Sequence, residues 1–279
     1  MKPNERLSRI RPDFSKLINS QVNLMKLILS LLLLTLLVVP ASAAKIKTTA
    51  ELIEAMRAKY DGKWYKTLTF AQNTTTFKTD GTTEKSVWYE TMSLPGRLRI
   101  DFERIGSGNG VIFQNGTQHD FKGGKVVGSR RTPHLLLLLG FDVYGQSALA
   151  TLKQLEDMKF DLSKFREDVL QGREVYVVGA DKGDLRSRQF WIDKKNLYFL
   201  RSIQPVGKDG ARTQEIQFND YRRIKGGGWV AARVDFLMDG KLVFLEEYFD
   251  IKPNVKLAEG IFDPQNLNIT SYTAQAENE

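Results

Sequence analysis

No cysteine occurs in the 279 residues. Its absence excludes thiol catalysis, cysteine-ligated zinc and disulfide staples, and equally a lipid-modified N-terminal cysteine. A chain of this length buries enough apolar surface to fold without disulfides. Histidine is almost as scarce. His119 and His134 are the whole supply, at a spacing that fits no metal-binding pattern, so both read as surface or turn residues and no metal or other cofactor is expected. Convergent carboxylates are also wanting, because Glu246 and Glu247 are adjacent on an expected strand and face opposite sides of a sheet. "GSGNGV" at 106–111 has no helix after it to complete a phosphate cradle and reads as a hairpin loop. "GQSAL" at 145–149 lacks the second glycine of a nucleophile elbow, which leaves Ser147 as a helix cap. No catalytic residue is assigned.

Long apolar runs are nearly absent too. One lies at 25–45, "MKLILSLLLLTLLVVPASAAK", where an apolar stretch over 27–39 is broken only by Ser30 and Thr35 and is followed by Pro40, Ala41, Ser42 and Ala43. This is the pattern of a secretory signal peptide over 25–43 with cleavage after Ala43, and a retained anchor is the alternative reading. Residues 1–24 form a basic extension, either a long n-region or an upstream start ahead of Met25. Removing residues 1–43 takes six of the 41 Lys/Arg and two of the 33 Asp/Glu, and the net charge falls from +8 to +4. The remaining basicity is dispersed rather than clustered, so no nucleic-acid partner is expected.

The other apolar run is Leu135, Leu136, Leu137, Leu138 and Leu139. At about 1.5 Å of rise per residue it is far too short to cross a hydrocarbon core of about 30 Å. It belongs to a core helix, or it covers an apolar cavity as a movable plug.

What the chain has in quantity is alternation. In "RLRIDF" Leu98, Ile100 and Phe102 point one way while Arg97, Arg99 and Asp101 point the other, as in a strand with one buried face and one face in water. The same period of two recurs in "TLTFAQ", "KSVWYET", "GVIFQN", "REVYVVGA", "SRQFWID", "YFLRSI", "TQEIQF", "VAARVDF" and "KLVFLEEYF". Turn signals such as Asp80-Gly81, Asn115-Gly116, Gly123-Gly124 and Asp239-Gly240 separate them. Two segments break the pattern. At 48–62 Thr48 and Glu51 have capping-box spacing, Leu52, Ile53, Met56 and Tyr60 recur at helical intervals, and Gly62 marks a stop. At 132–165 the leucine run is followed by Ala148, Leu149, Leu152 and Leu155 behind the cap Ser147. The fold class expected is mainly β with a few helices (α+β): a strongly curved antiparallel sheet, opened by one helix and interrupted halfway by a helical insertion that plugs its mouth.

Four segments in order, "VWYETMSLPGRLRIDF", "GNGVIFQNGTQHDF", "RQFWIDKKNLYFLRSI" and "FDIKPNVKLAEGIFDP", resemble the periplasmic outer-membrane lipoprotein carrier and lipoprotein-sorting superfamily, the LolA-like proteins. The positions that carry the resemblance are Trp88, residues 95–102, Asn115-Gly116 and residues 262–264, within a single domain over 44–267 that leaves 268–279 as a polar tail. The resemblance implies an unclosed barrel of about eleven strands, helices over one mouth, and an apolar cavity that receives acyl chains. It implies a periplasmic location and, as partners, an inner-membrane transporter and an outer-membrane acceptor. Leu94 departs from it, since the best-known carriers have an arginine there that helps lock the lid.

The function expected is therefore non-enzymatic carriage of lipoprotein acyl chains or lipid. The lipid-binding residues expected are Leu98, Ile100, Phe102, Phe113, Phe190 and Ile192 on the strands, with Leu135, Leu136, Leu137, Leu138 and Leu139 as the plug. Strand parity puts each strand residue on one face without saying which face is concave. An exported hydrolase and a scaffold component of an envelope complex are the rival readings.

Overall fold

A computed structural model describes residues 45–225 and 227–274; the signal segment and its cleavage site lie outside them. Helix α1 (Thr49–Tyr60) forms where the spacing places it. The Thr48 hydroxyl accepts from the Glu51 amide at 3.1 Å, Leu52, Ile53 and Met56 are fully buried, and Gly62 follows in the left-handed region (φ +65°).

Six strands come next: β1 (Thr67–Phe77), β2 (Thr83–Ser93), β3 (Arg97–Phe102), β4 (Gly110–Gln114), β5 (Thr117–Lys122) and β6 (Lys125–Arg131). The helical insertion holds α2 (Leu135–Gly140), a single 3-10 turn (Asp142–Tyr144) and α3 (Ala148–Asp157), which Ser147 caps by accepting from the Ala150 amide at 3.2 Å. Seven strands complete the chain: β7 (Phe165–Leu170), β8 (Arg173–Val178), β9 (Gln189–Asp193), β10 (Phe199–Val206), β11 (Arg212–Arg223), β12 (Trp229–Met238) and β13 (Lys241–Pro253).

All thirteen form one antiparallel sheet in the order β6-β5-β4-β3-β2-β1-β13-β12-β11-β10-β9-β8-β7. The first and last strands therefore pair at its centre, with Gln72 opposite Tyr248 and Thr74 opposite Glu246. The two edges, β6 and β7, are consecutive in the chain, so the helical insertion is the connection between them. The sheet is strongly curved and unclosed. Its thirteen strands compare with the eleven or so implied by resemblance and with ten alternating segments in the sequence; β5, β6 and β7, "TQHDFK", "KVVGSRR" and "FREDVL", alternate too weakly to be read from hydrophobicity. Lysine and arginine along β6 discourage pairing with another chain.

The principal core lies on the concave side, where α1 and the insertion pack against inward side chains of the sheet. Strand β3 departs from the expected one-sided pattern. Arg99 and Asp101 are wholly buried instead of facing water. The chain after β13 crosses the convex face at this point and forms a second core of Ile112, Phe121, Ile261, Phe262, Leu267, Ile269 and Tyr272. Arg99 grips Asp101 with two nitrogens (2.8 and 3.1 Å) and donates to the carbonyls of Ile261, Asn266 and Leu267 at 2.9–3.2 Å. Tyr272 donates to Asp101 at 2.7 Å. Gly106 lets this segment pass, since a Cβ there would meet the Ile269 carbonyl oxygen at 1.9 Å.

Candidate functional site

The inward faces of the central strands enclose a cavity of about 290 Å³. Trp88, Glu90 and Met92 of β2, Leu98 and Ile100 of β3, and Phe244, Glu246 and Tyr248 of β13 form much of its wall, and Leu136, Leu137 and Phe141 of the insertion roof it. Period-two geometry explains the set, because alternate residues of neighbouring strands share a face. The rings of Phe70 and Tyr248 stack at 4.3 Å, and Trp88 lies against Phe102 at 4.6 Å and Phe244 at 5.5 Å.

The roof is short and only partly embedded. Leu136 also borders a groove of about 480 Å³ toward Phe160 and Ile216, and Leu137 borders a hollow of about 600 Å³ beside Pro95 and Met158. His134 lines all three spaces. Its Nδ1 caps α2 by accepting from the Leu137 amide at 3.1 Å, and its ring meets Phe113 edge-on at 4.6 Å. Desolvation lowers its pKa to about 4, so the ring is neutral at neutral pH. His134 is thus a half-buried helix cap instead of an ordinary surface residue. At the other end Gly140 lets α2 approach the sheet, where a Cβ would stand 2.9 Å from the Phe218 ring.

Polar groups occupy one part of the apolar wall. Glu90 (5% exposed) and Glu246 (8%) come from β2 and β13, the strands flanking β1. Burial and then the neighbouring Glu246 raise Glu90 well above the usual carboxylate range. Burial raises Glu246 to about 7 against the opposing effect of the Tyr248 hydroxyl, which donates to it at 2.9 Å. Glu246 and Glu247 do face opposite sides, with Glu247 exposed, but the acid that shares Glu246's surroundings arrives from β2. Among the described residues no group of three or more His, Asp or Glu is placed to hold a metal.

The expected lipid-binding residues separate into three groups. Leu98, Ile100, Leu136 and Leu137 line the cavity. Phe113 and Leu135 border the adjoining groove, and Leu138 the larger hollow. Leu139, Phe190 and Ile192 are sealed in the core, and Phe102 packs against Trp88 without lining the cavity. Periodicity along β2 and β13 contained the signal for the missed wall residues, since Trp88, Glu90 and Met92 share one parity, as do Phe244, Glu246 and Tyr248.

No protein-family model matches this sequence, and no curated protein matches it. Solved structures do. A domain from Vibrio parahaemolyticus assigned to outer membrane lipoprotein sorting superimposes with a TM-score of 0.54 at 14% identity, over 79% of this chain and 98% of that one. The fold is LolA-like. A LolA superfamily protein from Nitrosomonas europaea aligns over 78% of this chain and 98% of its own, with a TM-score of 0.48 and 14% identity.

Within this LolA-like fold the turn before β3 carries Leu94, and one hydrogen bond ties the turn to the insertion. Asp142 Oδ1 accepts from the Gly96 amide at 3.0 Å. Desolvation raises the Asp142 carboxyl to about 7 in spite of this bond.

Proposed function

We propose that the exported chain is a non-enzymatic periplasmic carrier that takes acyl chains of a lipoprotein or lipid into the cavity beneath α2. One observation carries the reading: a largely apolar cavity inside the sheet is roofed by a six-residue helix that also borders a groove and a hollow. Each buried methylene contributes roughly 0.8 kcal/mol, so a short length of chain already supplies useful affinity. The cavity stands at the low end of the roughly 300–1,000 Å³ common for ligand sites. A whole acyl chain therefore requires Leu136 and Leu137 to shift, and the groove and hollow beside α2 provide room for that shift. An inner-membrane donor and an outer-membrane acceptor are the partners this role calls for. Titration of delipidated protein with a neutral pyrene-labelled monoacylglycerol tests it. Saturable binding displaced by the unlabelled lipid is expected, and no saturable binding would favour a scaffold role.

A further inference from the structure

The cavity contains more polarity than acyl chains need. The Glu90 carboxyl makes no hydrogen bond or ion pair among the described residues, and Glu246 has the Tyr248 hydroxyl on one oxygen. Gln72 lies opposite Trp88 on one side and Tyr248 on the other, and so shares their inward face. It is fully buried, and neither its amide nitrogen nor its amide oxygen is held in a hydrogen bond of ordinary geometry, although the amide stands close enough to Glu246 to favour the charged form. A buried amide with both ends open is rare in folded proteins, and two carboxyls at the same wall without a cation compound the deficit.

We infer that Glu90, Glu246 and Gln72 form a recognition site for a primary ammonium group carried by the lipid that enters the cavity. This inference rests on the carrier reading and specifies the class of cargo. The chemistry matches in number and sign. An ammonium brings three N–H donors and one positive charge; the wall offers acceptors on Glu90 and Glu246, and the Gln72 amide oxygen lies on the same face of β1, the strand between theirs. No cationic side chain lines the cavity, and His134, the remaining titratable group on the roof, is uncharged at neutral pH. Charge-assisted bonds to buried carboxyls are stronger than neutral ones, so the site discriminates against a hydroxyl or a carboxylate at the same place. Capture of the ammonium by a protonated carboxyl leaves an ammonium–carboxylate pair and releases that carboxyl's proton to solvent.

Calorimetric titration of the full chain with decylamine and with 1-decanol distinguishes the possibilities. The amine is expected to bind at least about tenfold more tightly than the alcohol. At pH 6 its binding heat should depend on the buffer's ionisation enthalpy, as proton release requires, while the alcohol's should not. In the Glu90→Gln/Glu246→Gln variant the ratio of the two affinities should fall to near one. Both changes keep side-chain size, and if the variant does not fold, proton release by the parent decides the matter. Equal affinities, amine binding without proton release, or an undiminished ratio in the folded variant would overturn the ammonium site and leave the carrier reading standing. Failure of both probes to bind would contradict both.

Discussion

Asp142 holds the Gly96 amide at 3.0 Å, joining the turn between β2 and β3 to the segment that continues from α2. Asp142 is buried, and among the described residues its bond is the side-chain hydrogen bond that joins these two stretches, so it helps hold the roof from that side. Asp142→Ala leaves the Gly96 N–H unpartnered and should lower stability by about 1–3 kcal/mol, with faster amide exchange over residues 135–144. Asp142→Asn keeps an acceptor oxygen and should stay near the parent. Equal behaviour of the two variants in hydrogen exchange would remove the latch from the account.

Stability should fall as pH rises from about 5 to about 7. Glu90, Glu246 and Asp142 all hold protons to higher pH when folded than when unfolded. Such groups stabilise the folded state at low pH, and their contribution is lost as pH rises through the folded value. His134 acts in the opposite sense, because its pKa is lowered to about 4 and its neutral form is favoured by folding. Three carboxyls outweigh one imidazole. Urea unfolding across this range checks the slope, and Glu246→Gln should flatten it. A stability that rises steadily from pH 5 to 7 contradicts the assignment.

The buried pair on the convex face yields a separate expectation. Arg99→Met strands Asp101 without a cation and should destabilise by about 3–5 kcal/mol, whereas Arg99→Met/Asp101→Leu should recover part of that loss. Chemical denaturation of both variants tests it, and a double variant less stable than the single one would show that the pair itself, and not its charge balance, holds the C-terminal segment.

Much of this architecture was legible in local pattern. Thr48 to Tyr60 carried cap, stripe and stop, and the meander and its interruption at 132–165 followed from a change of period. The site was legible only in part, for a geometric reason. Alternation groups Leu98, Ile100 and Phe102 on one face, but the complementary residues Arg99 and Asp101 look solvent-facing until a segment more than 160 residues downstream covers them. On β13 the acid adjacent to Glu246, Glu247, faces the other side, and the acid that shares Glu246's cavity, Glu90, stands on β2. Glu90 and Glu246 share parity with aromatic neighbours, yet their approach to one cavity depends on the pairing of the first strand with the last, which no local window contains. Likewise the run of five leucines does not show in sequence that it divides, with Leu139 in sealed core and Leu136 and Leu137 over the cavity.

That division predicts unequal outcomes for one substitution. Leu139→Asp buries an unpaired charge and should cost several kcal/mol, about the range seen for the most damaging core changes. Leu136 is half-buried beside open space, so Leu136→Asp should melt closer to the parent while losing acyl-chain binding. Equal loss of stability in the two variants would make α2 a uniform core element.

Trp88 lines the cavity, whereas Trp64, Trp191 and Trp229 do not. Bromine on an acyl chain quenches only indoles close to it, which makes tryptophan fluorescence a direct report on where the chain lies. Titration of the parent and of Trp88→Phe with a chain-brominated monoacylglycerol therefore tests the central claim. Saturable quenching in the parent that largely disappears in Trp88→Phe is the result predicted here, and quenching that is absent, or that persists undiminished without Trp88, would contradict an acyl-chain site inside the sheet.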